Sequence, residues 1–165
     1  MNFLRNKRSL FLVGVTSIGL VLVGWLYTNI STSYPTSLDI RLLHTDIAAV
    51  SKGKLVYEQN CASCHGKNLE GQANWRQRDT DGNLPAPPHS VEGHTWHHPD
   101  EYLVTMTKYG IEKIIGKTYP NNMPIYEGIL SDYDIVAVLS YIKSTWPEHI
   151  QIQHDRINSR ARALK

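Results

Sequence analysis

The two cysteines of this 165-residue chain are the feature that most restricts what it can be, because they stand three apart and are followed by histidine: Cys61-Ala62-Ser63-Cys64-His65. A stabilising disulfide framework uses more cysteines and closes longer loops. A thioredoxin-like pair needs a βαβ setting, which the flanking sequence lacks. A structural zinc site needs further Cys or His at ligand spacing. Covalent haem attachment needs this spacing for a chemical reason. Two thiols one helical turn apart can each form a thioether to one of two neighbouring vinyl groups, and the adjacent imidazole then lies under the ring to bind iron.

The amino terminus sets the compartment. Arg5-Asn6-Lys7-Arg8 precedes an uncharged run from Leu10 to Tyr27. Its 18 residues would span roughly 27 Å as a helix, close to the hydrocarbon thickness of a bilayer. Trp25 and Tyr27 stand at the level of interfacial aromatics, and the basic cluster favours the cytoplasmic side. The expectation is a single-pass anchor over residues 1–30 with the working domain exported. A cleaved signal peptide is the competing reading; its apolar core would be unusually long, and no A-x-A site follows, although Ser31-Thr32-Ser33 offers small residues.

Charge distribution excludes one class. Residues 1–8 carry +3, residues 9–149 carry 10 basic and 14 acidic side chains, and residues 150–165 carry +3, for a total of +2. A mildly acidic body with basic ends is not the concentrated basic face of a nucleic-acid binder.

Beyond the anchor, Ser, Thr and Pro mark a linker over 31–50, in which Leu38 to Val50 could add a turn or two of helix. Ser51 is the expected N-cap of a helix from Lys52 to about Asn60. Lys67 to Gly93 is polar and turn-rich, with the run Leu84-Pro85-Ala86-Pro87-Pro88. Pro99, Asp100, Glu101 and Gly110 frame a helix of about eleven residues with Tyr102, Leu103 and Met106 at helical spacing. Ser131-Asp132-Tyr133-Asp134 opens a strong helix through Ile135, Val138, Leu139 and Ile142 to about Trp146, where Pro147 stops it. The basic tail, 148–165, reads as a short helix over the body or as a solvated segment near acidic lipid headgroups. Nothing alternates as strands do. The expected class is all-α, small and loop-rich, with an N-terminal transmembrane helix and a haem domain over 51–147.

These features resemble the class I c-type cytochromes, in a membrane-anchored bacterial single-haem subgroup, over roughly residues 51–147. Gly53 and Tyr57, eight and four residues before Cys61, match the family's first helix. The resemblance implies that they cross the last helix near Val138 and Tyr141. Met123-Pro124, 58 residues after His65, matches the distal-ligand loop and implies iron held by His65 and Met123, in one haem c bonded to Cys61 and Cys64. A neutral thioether ligand raises the reduction potential relative to two imidazoles. Met106, on an amphipathic helix, reads as core. A bis-histidine site drawing on His89, His94, His97 or His98 is the competing ligation.

The resemblance also implies a backbone carbonyl near Pro85 or Pro87 as acceptor for the second nitrogen of His65, and Trp96 as donor to a haem propionate or as plain core. Tyr119 and Tyr126 would line the crevice. His94, His97 and His98 have spacing that copper or zinc could use, but helix capping and local hydrogen bonding ahead of Pro99 is the stronger reading.

With both axial positions filled, the expected function is electron transfer and no enzymatic reaction, at the outer, periplasmic face of the cytoplasmic membrane, within a respiratory chain. The expected partners are a quinol-oxidising complex, a terminal oxidase, or a periplasmic dehydrogenase or reductase. A dedicated haem-bearing subunit of a larger complex, and a peroxidase-like or gas-sensing haem protein, are the alternatives.

Overall fold

The computed structural model describes residues 40–165. The anchor expected over 1–30 and the first part of the linker expected over 31–50 lie outside the described residues. Among the described residues the secondary structure is entirely helical, and no helix is long and apolar enough to cross a membrane.

Helix α1 spans Ile47–Asn60 and begins earlier than expected. Its N-cap is Asp46 and not Ser51: the Asp46 carboxylate accepts from the amides of Ala48 and Ala49 at 2.8 and 3.0 Å. Both residues are good caps in isolation. Residues 47–50 tip the balance, because Ala49 is buried and extends the inward face that continues through Gly53, Val56 and Tyr57. A single turn, α2 (Ala62–His65), follows. After the Pro-rich segment and a 3-10 turn at Thr95–His97 come α3 (Asp100–Tyr109), α4 (Ile111–Ile115), α5 (Asp132–Ser144) and α6 (Glu148–Ala163).

The most extensive helix contact is between α1 and α5, and glycine makes it possible. A Cβ at Gly53 would lie 1.9 Å from the Ala137 carbonyl oxygen and 2.9 Å from the Tyr141 Cβ. The crossing therefore centres on Ala137 and Tyr141, one residue from the Val138 expected, and Val138 is buried beside it. Tyr57 continues the seam, its ring 5.6 Å from that of Tyr141. Helix α5 starts at the expected Ser131, in a reciprocal cap with Asp134. The Asp134 carboxyl is held below its usual range by the Ser131 hydroxyl and by Lys52 of α1, 3.0 Å away. Ile135, Val138, Leu139, Ile142 and Trp146 complete the core against Val56, Leu103 and Val104.

The basic tail is the helix α6, folded on the body. Its buried face is Ile150, His154 and Asn158, four residues apart on one stripe. Only the first is apolar; the other two are held by hydrogen bonds. The Asn158 side chain accepts from the Asp100 amide at 2.7 Å and donates to the Asp100 carboxylate at 3.0 Å. The second carboxylate oxygen of Asp100 accepts from the Leu42 amide at 3.1 Å. His154 donates from Nε2 to the His98 carbonyl at 2.9 Å. Burial holds its pKa below the ordinary value against the opposing pull of Asp100, so it sits neutral. Lys143 of α5, itself buried, pairs with Asp155 of α6.

Candidate functional site

The cysteine turn is set by the end of α1. The Cys61 amide still bonds to the Tyr57 carbonyl at 2.9 Å, after which the amides of Cys64 and His65 both return to the Cys61 carbonyl, at 3.1 and 2.9 Å. Both thiols therefore sit on one tight turn, and both are free, Cys64 exposed and Cys61 half-buried. Tyr57 reaches over from α1 to donate its hydroxyl to the Gly66 carbonyl at 2.8 Å. This brace on the turn was not foreseen in the sequence, where Tyr57 reads only as a helix-crossing residue.

His65 is buried, and its Nδ1 lies 2.8 Å from the Pro87 carbonyl oxygen. A carbonyl only accepts, so Nδ1 carries the proton and Nε2 keeps its lone pair, the form that ligates metal. Burial lowers the pKa of the ring, favouring this neutral state, although the Pro87 carbonyl pulls the other way. Of the two prolines expected near His65, the structure selects Pro87. The reason is local pairing: the Gln72 amide donates to the Ala86 carbonyl at 2.8 Å, and the Ala86 amide donates to the Gln72 side chain at 2.7 Å. Gly71 permits that approach, since a Cβ there would meet the Pro88 nitrogen at 2.5 Å.

The Met123 loop braces itself and then docks on the cysteine turn. The Asn121 side chain donates to the Tyr119 carbonyl at 2.8 Å and accepts from the Met123 amide at 3.1 Å, a local turn of the kind asparagine favours. Tyr126, three residues on, is buried and donates its hydroxyl to the Asn60 carbonyl at 2.6 Å, one residue before Cys61. Burial raises the Tyr126 pKa, and both cysteines add to the rise. Met123 is half-buried and packs on the same core as Cys61 and Ala62. Tyr119 sits at the loop's entry, with the Arg78 guanidinium 5.0 Å over its ring.

The Trp96 indole donates to the Val91 carbonyl at 3.3 Å and its ring lies 3.6 Å from that of His97, both contacts within its own segment. One expectation is corrected. The histidines ahead of Pro99 do not cap helices with their side chains; their rings stack instead, His94 on Trp75 at 5.5 Å and His98 on Tyr102 at 4.2 Å. Among the described residues no three His, Cys, Asp or Glu side chains are placed to share a metal ion.

The chemistry of the turn is that of an attachment point. Burial, and then Cys64 beside it, pushes the Cys61 thiol up to about 11. Reactive redox cysteines show the reverse, a depressed pKa that stores thiolate. Two thiols on one turn, an imidazole held at Nδ1 with Nε2 left to ligate, and a braced thioether loop are donors that fit haem c.

The fold and the turn together define a small helical protein that carries haem by covalent bonds. The family model "Cytochrome c" matches residues 50–146, and this chain belongs to the cytochrome c family. Its cofactor is haem c with its iron, Cys61 and Cys64 stand in the attachment motif, and the family's haem-based electron transfer comes with membership. A stretch of 34 residues is 53% identical to the Cbb3-type cytochrome c oxidase subunit CcoP of Azospirillum brasilense. That stretch is 21% of this chain and 12% of the relative, so the chain matches only a small part of that protein's length. No solved structure matches this chain.

Proposed function

We propose that this protein is a single-haem electron carrier, with Cys61 and Cys64 forming the thioethers, His65 the proximal iron ligand and Met123 the distal one. The observation that carries this reading is the oriented His65 imidazole, fixed at Nδ1 by Pro87 and free at Nε2. Haem iron held by these residues would supply the chemistry, a one-electron change between ferric and ferrous states. The chain's residues hold the ligands still, so that little rearranges when the charge changes, and they keep water from the iron. Pro87 orients one ligand, the Asn121 turn shapes the loop of the other, and Tyr126 ties that loop to the attachment turn.

The domain over 51–147, an anchor over 1–30 and a linker between them place the haem at the outer face of the cytoplasmic membrane in this reading. The uncharged run Leu10 to Tyr27 supports the anchor. A terminal oxidase complex is the partner best supported, because the relative in Azospirillum is named as an oxidase subunit. The same likeness favours a second reading, a dedicated subunit of such a complex in place of a free shuttle. A quinol-oxidising complex or a periplasmic dehydrogenase or reductase would serve as the other redox partner.

With His65 and Met123 both bound to it, haem iron would keep no position open for a gas. The purified, dithionite-reduced protein is therefore expected to keep its visible spectrum unchanged under carbon monoxide at neutral pH. A rapid carbonyl spectrum without denaturant would point to an open iron site, and with it to a peroxidase-like or gas-sensing protein.

A further inference from the structure

A hydrogen bond at Nδ1 fixes one point of the His65 ring and tolerates a broad range of angles at the carbonyl. The plane of the ring is left to something else. That plane is bounded by a second imidazole: His89 stacks on His65 with centroids 4.0 Å apart and planes 25° apart. His89 lies two residues beyond Pro87, so one short segment supplies both the acceptor and the stacking ring.

His89 is itself held on several sides. Its amide donates to the Leu69 carbonyl at 2.9 Å, and its carbonyl accepts from the Trp146 indole at 2.8 Å. Its Nδ1 lies 2.9 Å from the hydroxyl of buried Thr95, which sets the rotation of the ring. Tyr57 meets it edge-on at 6.2 Å.

We propose that His89 is a positioning residue for the iron ligand: its flat face fixes the plane of the His65 imidazole, and Thr95 fixes His89. This rests on His65 being the proximal ligand. It predicts that the orientation of the ligand plane, and not merely stability, depends on a planar ring at position 89.

The test uses the mature full-length haem protein and the proton NMR shifts of the haem methyl groups in the ferric state, which report the orientation of the axial imidazole. His89→Leu keeps the bulk and removes the flat face. It is expected to change the spread of the methyl shifts and to move the reduction potential. His89→Phe, which restores a planar ring, is expected to return the shift pattern towards wild type. Thr95→Val deletes only the hydrogen bond that orients His89, with little change in volume, and is expected to shift the pattern in the sense of His89→Leu but by less. A wild-type pattern in both His89→Leu and Thr95→Val would overturn the proposal, even if both variants were less stable. So would a displacement in His89→Phe as large as in His89→Leu. If Thr95→Val is the only variant that matures, an unchanged pattern in it overturns the proposal by itself. Failure of the underlying ligation reads differently: wild type would then lack the widely spread methyl signals of low-spin ferric haem.

Discussion

Replacing Met123 by alanine is expected to lower the reduction potential by on the order of a few tenths of a volt, within the roughly 0.8 V that axial ligands span. It is also expected to abolish the weak near-infrared band of sulfur-ligated ferric haem. A thioether is a neutral, soft donor that favours ferrous iron, and water or a nitrogen ligand in its place favours ferric. The loop should survive the change. Asn121 shapes it through the Tyr119 carbonyl and the Met123 amide, neither of which involves the Met123 side chain, and Tyr126 anchors it to Asn60. Helix content close to wild type, with a lowered potential and no band, is thus the expected combination. A band that persisted in Met123→Ala would transfer the ligand role to Met106, on α3.

Gly53→Ala is expected to destabilise the holoprotein by about 2 kcal/mol or more, and Gly53→Val by more still. Two effects oppose each other here. Alanine is the better helix former, by about 1 kcal/mol in a helix interior. Against that, the added Cβ would lie 1.9 Å from the Ala137 carbonyl oxygen. A backbone oxygen cannot rotate away as a side-chain end can, so α1 and α5 must move apart along their whole seam. The loss falls on Tyr57, Val138 and Tyr141 as well, and through Tyr57 on the brace to Gly66. Denaturant unfolding measures it, with Lys54→Ala, at an exposed position on the same helix, as the control. Equal or greater stability in Gly53→Ala would place the closest helix approach somewhere else.

How much of this was legible in the sequence followed from how local each signal is. The attachment turn is contiguous, so its residues and their chemistry could be read directly. Helix α5 carried its own start signal, Ser131 with Asp134, and an apolar stripe. The start of α1 is ambiguous in the sequence because Asp46 and Ser51 are both competent caps, and the choice depends on Ala49 packing inward. The sequence of α6 fits a helix or a solvated tail equally, because its buried face does not look apolar. His154 and Asn158 are accepted inside only because the His98 carbonyl and Asp100 await them across 56 and 58 residues of chain. Pro85 and Pro87 could not be separated until the Gln72–Ala86 pairing set the register of the proline segment. His89 reads in the sequence only as one of four histidines that could compete for the iron, since nothing in a polar loop tells which ring a histidine will lie on.

The central claim is that one haem is bonded to Cys61 and Cys64. Mass spectrometry of the protein after denaturation in acidified organic solvent tests it most directly. The expected result is a chain carrying the mass of one haem, with that mass confined to the peptide containing Cys61, Cys64 and His65. Haem that extracts into the solvent and leaves a bare chain with two unmodified thiols would contradict the account.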